Sequence, residues 1–235
     1  MTVRFRVALV VALALSAGVA GAAREVPASP AWNNALGLLK AGNDRFARNA
    51  STPVSLSVNR RRELATTQAP TAMVLSCADS RVPPEHIFNV GLGDLFVIRT
   101  AGEVIDRSIL ATIEYGAEHL HIPLLVVMGH ESCGAVRAAV ESKGPAASPS
   151  LDYLLKAIQA AKRPSTQERD EIKSLILANV EQVINDAMAK SPLLQHMVDA
   201  GRLGVVGAYY ELVSGRVMFS ESVSATAAGP RDARH

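Results

Sequence analysis

The chain has 235 residues, of which 49% are hydrophobic and 4% aromatic, so it can form one domain with a core mainly of Ala, Val, Leu and Ile. Lys and Arg number 24 against 22 Asp and Glu, a formal net charge of +2. With so small an excess of positive charge and no basic cluster that interleaves aromatic residues, we expect no nucleic-acid partner.

Residues 1–22 have the pattern of a secretory signal peptide. Arg4 and Arg6 precede an apolar run over residues 7–15, and Ala-Gly-Ala at 20–22 fits a cleavage site. A membrane anchor is the alternative, but the run is short for a span of about 20 residues. We therefore expect a periplasmic or secreted protein that is cleaved near Ala22 and keeps no stable membrane anchor. Cleavage would leave 22 basic against 22 acidic residues.

One domain is predicted over residues 30–222, after a linker at 23–29 and before a disordered tail at 223–235. Ser29-Pro30 has the residues preferred at a helix start, and apolar residues then recur at helical spacing. This pattern predicts an amphipathic helix from 30 to about 49, and a second helix is predicted over 55–66.

From residue 72 onward, apolar strands alternate with helices. Strands are predicted at 72–76, 95–100 and 124–129, followed by a hairpin of 205–210 and 216–220. Helices are predicted at 106–119, 133–142, 168–189 and 192–200, and 144–150 is predicted to be a loop. The pattern indicates an α/β fold with a mostly parallel central sheet, an antiparallel edge strand and flanking helices.

Two motifs follow the predicted strands. "SCADSRVPPEH" places Cys77 just past the first strand, and "GHESCGAV" places His130 and Cys133 just past the third. Ligands of parallel sheets bind beyond the carboxyl ends of the strands, so the two motifs should meet there. Thiolates, an imidazole and a carboxylate suffice for tetrahedral zinc. A disulfide between the two cysteines, or two inert buried thiols, are the alternatives.

Asp79 and Arg81 suggest that such a site is catalytic. Asp79 is two residues after Cys77, on the same face of an extended segment. Arg81 can hold its carboxylate through a bidentate fork. If Asp79 leaves the metal for Arg81, one position opens to water, as in catalytic zinc sites. The helix start is also expected to favour the thiolate of Cys133. No metal role is expected for the other histidines, His86, His119, His121, His196 and His235.

These motifs resemble the β-class carbonic anhydrases. "CADSRVPPE", "GLGDLFVIRTAG", "IEYGAEHL" and "GHESCGAV" match that family in order and roughly in spacing, and the similarity runs from about Trp32 to Phe219. The resemblance implies an N-terminal helical arm that embraces a second subunit, in a homodimer or tetramer. It also implies one zinc per chain, held by Cys77, His130 and Cys133.

The resemblance assigns further roles. Asp79 would either ligate the zinc or pair with Arg81. Gln68 corresponds to a glutamine that faces the substrate from the neighbouring subunit in plant-like members. Phe96 and Tyr115 occupy positions of apolar pocket walls in those members, although taken alone they indicate a core strand residue and a helix-packing residue.

Two departures from the family pattern stand out. Val74 occupies the position of a tryptophan that some bacterial members use in a bicarbonate regulatory pocket, although Arg99 matches the arginine of that pocket. Glu103 stands where the family commonly has asparagine.

The resemblance implies a carbonate dehydratase, a zinc lyase that reversibly hydrates carbon dioxide to bicarbonate and a proton. Zinc hydroxide would attack CO2, with the Asp79–Arg81 pair orienting the hydroxide. One alternative is a hydrolase of CS2 or COS on the same scaffold. The other is a non-catalytic secreted zinc-binding protein, against which the presence of Asp79, Arg81 and Gln68 argues.

Overall fold

The structure, a computed structural model, describes residues 30–161 and 171–220. The predicted signal peptide (1–22), linker (23–29) and tail (223–235), which includes His235, lie outside the described residues. Within the described ranges, no helix combines the length and the apolar character needed to cross a membrane.

Helices and strands alternate along most of the described chain. The helices are α1 (Pro30–Ala47), α2 (Val58–Leu64), α3 (Pro84–Ile87), α4 (Arg107–Glu118), α5 (Gly134–Glu141), α6 (Pro149–Gln159), α7 (Glu171–Lys190) and α8 (Pro192–Asp199). The strands are β1 (Ala72–Cys77), β2 (Leu95–Thr100), β3 (Leu124–His130), β4 (Gly204–Tyr210) and β5 (Val217–Phe219), and a 3₁₀ turn (Ala101–Glu103) follows β2.

The strands form one five-stranded sheet in the order β2-β1-β3-β4-β5. Pairing is parallel from β2 to β4, and β5 is antiparallel to β4 at the edge. Every residue of β1, β3 and β4 is buried, because helices cover both faces of the sheet. The predicted fold class is confirmed.

The register of the sheet positions the carboxyl ends of three strands together. Cys77, the last residue of β1, pairs with Thr100, the last residue of β2. On the other side of β1, Ser76 pairs with Met128, two residues before the end of β3. Cys77 and the end of β3 therefore lie next to each other.

Several details differ from the sequence-based expectations. Helix α6 was not predicted, and residues 149–150 of its first turn fell in the predicted loop. Ser148 caps this helix by accepting a hydrogen bond from the Leu151 N–H, and Pro149 follows. This is the Ser-Pro signal used at residue 30, here hidden in a stretch rich in Ala, Pro and Ser. Strands β1 and β3 each extend one residue further than predicted, so Cys77 and His130 belong to the strands. The short helix α3 was also not predicted.

Helix α1 approaches α3 so closely that position 42 has no room for a side chain. A Cβ atom on Gly42 would lie 1.8 Å from the backbone oxygen of Phe88. A Cβ on Gly37, one and a half turns earlier in α1, would meet no atom within 4 Å. Gly42 and Gly37 therefore provide a test position and a control position in the same helix.

We expect Gly42→Ala to lower the free energy of unfolding by about 1–3 kcal/mol, because the backbone of α3 must move. Gly37→Ala should raise it by up to about 1 kcal/mol, because alanine favours the helix. Urea unfolding of both variants checks this, and equal effects of the two substitutions would contradict the close packing of α1 on α3.

Candidate metal centre

Cys77, His130 and Cys133 form a compact buried group. One ligand atom from each lies within 4.8 Å of the others. The two sulfur atoms are 3.9 Å apart and both thiols are free, whereas a disulfide requires about 2.05 Å. Two sulfurs bound at 2.3 Å to one tetrahedral zinc would lie about 3.8 Å apart. The sulfur spacing therefore fits a shared zinc ion.

The imidazole of His130 has one nitrogen free for a metal. Its Nδ1 lies 2.9 Å from the backbone oxygen of Glu131, a contact in which Nδ1–H donates. This contact fixes the neutral tautomer with its lone pair on Nε2. Nε2 is buried and has no hydrogen-bond partner among the described residues. A buried nitrogen without a partner is explained by a metal that it would bind.

Each cysteine is placed by a different local structure. Cys77 ends β1, and its sulfur accepts a hydrogen bond from the backbone N–H of Gly102 at 3.3 Å. Cys133 is the N-cap residue of α5 and follows Ser132, whose φ of 53° turns the chain sharply after β3. The strand end and the helix start thus place the two sulfurs 3.9 Å apart.

In the metal-free protein, the pairing of the two thiols moves their pKa values apart. The hydrogen bond from Cys133 lowers the pKa of Cys77 to about 4, and the hydrogen bond from the Gly102 N–H acts in the same direction. The same pairing, with burial, raises the pKa of Cys133. Two buried sulfurs this close cannot both ionise without a cation, so the metal-free pair carries at most one thiolate.

The Asp79 carboxylate lies at the edge of this group and is held by Arg81. Arg81 donates from Nε to Oδ1 at 2.9 Å and from Nη2 to Oδ2 at 2.8 Å, and its backbone N–H also donates to Oδ1. These bonds hold the pKa of Asp79 well below its usual range. Oδ2 lies 3.9 Å from Nε2 of His130. Asp79 is thus near the three-residue group and bound to Arg81.

Arg99 supports the same loop, a role that sequence reasoning missed. Its Nε donates to the backbone oxygen of Cys77 at 3.0 Å, and its Nη2 donates to that of Asp79 at 2.5 Å. In the sequence, the only signal for Arg99 was its match to the arginine of the bicarbonate regulatory pocket. Val74 is fully buried in β1. The described Arg99 contacts are therefore with the loop that carries Cys77 and Asp79.

The three predicted pocket residues lie elsewhere on the same chain. Phe96 pairs with Met73 near the amino end of β1, about 13 Å along the strand from Cys77. The ring of Tyr115 lies 6.4 Å from that of Phe96, and Tyr115 is half exposed. Gln68 is exposed and precedes the amino end of β1. One chain therefore does not bring Phe96 and Tyr115 to the metal group, and it places Gln68 before the opposite end of β1.

Glu103 is buried next to the metal group. In the sequence it was noted only because the family commonly has asparagine at this position. It is 1% exposed, and its Oε1 accepts a hydrogen bond from Nδ2 of Asn179 at 3.1 Å. Burial, and then the charge of Cys77, raise the pKa of Glu103 to about 8, while the Asn179 bond acts in the opposite direction. Asn179 itself gave no signal in the sequence, because it is separated from Glu103 by 76 positions.

Comparisons with known proteins agree with this geometry. A family profile for carbonic anhydrase matches residues 72–217. Carbonic anhydrase 2 of Mycobacterium tuberculosis is 38% identical over 191 residues, which cover 79% of this chain and 91% of the relative. The carbonic anhydrase of Pseudomonas aeruginosa is 32% identical over 168 residues, which cover 66% of this chain and 76% of the relative.

Two solved structures have a similar fold. The Coccomyxa β-carbonic anhydrase in complex with acetazolamide has a TM-score of 0.65 and 27% identity, and the match covers 80% of this chain and 87% of that chain. A β-carbonic anhydrase of Sordaria macrospora has a TM-score of 0.63 and 24% identity, with coverage of 83% of this chain and 100% of that chain.

We expect purified wild-type protein to contain about one zinc per chain, and Cys133→Ser to lose most of it, because two protein ligands do not make a stable zinc site. His196→Ala, which removes an exposed histidine on α8, is the control and should keep the metal. Metal analysis of the dialysed proteins checks this. Full zinc content in Cys133→Ser would contradict the assignment.

Proposed function

The chain belongs to the β-class carbonic anhydrases, a family of zinc enzymes, and from this premise we propose how its own residues hydrate carbon dioxide. The proposed reaction is the reversible conversion of CO2 to bicarbonate and a proton. The observation that carries this proposal is the buried group of Cys77, His130 and Cys133 with the Arg81-bound carboxylate of Asp79 beside it.

Cys77, His130 and Cys133 would hold the zinc, since their sulfur spacing and the partnerless Nε2 fit it. Zinc, when bound, lowers the pKa of a water molecule, to about 7 in the well-known carbonic anhydrases that bind it through three histidines, and so supplies hydroxide near neutral pH. The two thiolates are the residues that neutralise the charge of the ion.

Asp79 would orient the nucleophile. Both of its oxygens accept hydrogen bonds from Arg81, so the carboxylate is fixed in place and ionised. Its Oδ2, on the side of His130, retains lone-pair capacity to accept a hydrogen bond from the nucleophile and direct it toward CO2. Arg99 assists by fixing the backbone of the same loop. Asp79 and Arg81 thus act as one unit.

We also propose that the site stays open at neutral pH and is of the plant-like type. In the described structure Asp79 is bound by Arg81, and Arg99 is engaged with backbone oxygens. Val74 replaces the tryptophan of the regulatory pocket and is fully buried. A site of this kind should show no cooperative inhibition by bicarbonate.

The active form is proposed to be a homodimer or a tetramer. Phe96 on β2, an edge strand of the sheet, and Tyr115 on α4 form a partly exposed aromatic pair. Within one chain these residues are distant from Cys77. A second copy that packs against this edge would supply Gln68, Phe96 and Tyr115 to the neighbouring metal group.

Export is the last element of the proposal. Residues 1–22 carry a basic start, an apolar run and a cleavage pattern. The enzyme would then act in the periplasm or outside the cell, on dissolved CO2 and bicarbonate.

Stopped-flow measurement of CO2 hydration tests the reaction and the role of Arg81 together. Wild-type protein should hydrate CO2 and lose activity when a chelator removes zinc. Arg81→Lys should remain folded and keep its zinc, but its rate of CO2 hydration should fall about a hundredfold, because lysine cannot hold the Asp79 carboxylate at two points. Arg202→Lys, an exposed arginine before β4, is the control and should be unaffected. Near-normal turnover in zinc-replete Arg81→Lys would refute the orienting role.

Mixed oligomers test the shared pocket. Gln68→Ala lacks the donor that we assign to the partner's site, and Cys133→Ser lacks a metal ligand but keeps Gln68. Coexpressed in equal amounts, half of the dimers should be mixed and carry one complete site, so activity should recover to about a quarter of the wild-type value. Activity equal to the mean of the separate variants would show that Gln68 serves its own chain.

Amino-terminal sequencing of protein from the cell envelope tests export. We expect the mature chain to begin near Ala23, since signal peptidase cleaves after a small-x-small pattern. An intact Met1 on protein from the cytoplasm would contradict the proposal.

A further inference from the structure

The 3₁₀ turn after β2 contains an unusual backbone. Gly102 and Glu103 both have left-handed conformations, with φ of 62° and 44°. Glycine adopts this region readily, but a glutamate seldom does. Such a conformation persists only when its surroundings hold it in place, and it is found preferentially at functional sites.

Asn179 is the residue that holds the turn. From α7, its Nδ2 donates to the backbone oxygen of Gly102 at 2.8 Å and to Oε1 of Glu103 at 3.1 Å. Glu103 and Asn179 are each 1% exposed. One amide group therefore fixes both the backbone of the turn and its only long side chain.

The turn contacts both strands that carry metal-binding residues. The N–H of Gly102 donates to the sulfur of Cys77 at the end of β1. On β3, a Cβ atom on Gly129, directly before His130, would lie 3.3 Å from Oε1 of Glu103. The carboxyl group thus packs against the backbone that leads to the imidazole.

The buried position of Glu103 also lowers the stability of the fold. Its Oε2 is buried and has no hydrogen-bond partner among the residues that the structure describes. A buried oxygen without a partner destabilises the fold. A glutamate that is both strained and incompletely bonded is therefore not explained by stability.

We propose that Glu103 and Asn179 form a clamp that keeps the Gly102 N–H on the sulfur of Cys77 and so holds this sulfur in its metal-binding orientation. Both are positioning residues, because they act through Gly102. The clamp acts by hydrogen bonding and shape, through Oε1 and Nδ2. The inference rests on the proposed function, since it requires that Cys77 binds zinc.

Three variants separate this clamp from a merely structural role. Glu103→Ala and Asn179→Leu each remove the bond between the two side chains. Glu103→Gln keeps the length of the side chain and the acceptor oxygen. Val183→Ala is the control. Val183 lies one turn after Asn179 on α7 and packs in the hydrophobic core between the sheet and helices α4, α7 and α8. It should lower stability without touching the turn.

Zinc affinity, measured by competition with a chromogenic chelator, is the primary readout. We expect Glu103→Ala and Asn179→Leu to bind zinc about 10-fold to 100-fold more weakly than wild type, the usual effect of removing support behind a metal ligand. Glu103→Gln should stay within about threefold, and Val183→Ala should match wild type. The charge-transfer absorption of cobalt-substituted protein should change in the two clamp variants alone, because it reports the geometry of the sulfur ligands.

The results of these measurements either support or overturn the proposed clamp. Wild-type affinity in folded Glu103→Ala and Asn179→Leu would overturn the clamp and leave the proposed function intact. Weak binding by Glu103→Gln, equal to that of Glu103→Ala, would also overturn it, because the charge rather than the bond would then matter. A wild-type protein that binds no zinc through Cys77 would overturn the proposed function and the clamp together. If one clamp variant does not fold without metal, the other is compared with Glu103→Gln in the same way.

Discussion

The parallel pairing of β1 with β3 is the constraint on which the site depends. It places the last residue of β1, Cys77, beside the end of β3, where His130 follows Met128 by two positions. A shift of one residue in this register would turn one of the two ligands to the other face of the sheet. Both strands are buried over their whole length, so the packing that stabilises the fold also fixes the spacing of the ligands.

The polar groups around this sheet end contribute to geometry rather than to stability. The Arg81 side chain is half exposed, and ion pairs of such groups add little to folding because solvent screens them. The bidentate contact of Arg81 nevertheless holds the Asp79 carboxylate in one orientation. Arg99 fixes the backbone beneath it, and the Gly102 N–H fixes the sulfur of Cys77. The turn and the loop thus converge on the same few atoms.

Much of the fold and of the metal group could be predicted from local sequence, because local features determine them. Strand β2 has the predicted bounds, and α4 lies within the predicted helix at 106–119. The convergence of Cys77 with Cys133 followed from their places after parallel strands. The contacts of Arg99 and of Asn179 could not be predicted, because they join residues 20 to 77 positions apart and depend on how α7 and β2 pack.

The 3.9 Å between the two free sulfurs also has a consequence for the maturation of the protein. Without metal, the pairing of the two thiols lowers the pKa of one of them, and a thiolate attacks oxidised sulfur readily. The two sulfurs would need to approach by only about 2 Å to form a bond with each other. Metal loading and oxidation are thus mutually exclusive fates of the same two atoms. With the export that we propose, the chain would fold in an oxidising compartment, and the yield of active enzyme would depend on a kinetic competition between zinc supply and thiol oxidation.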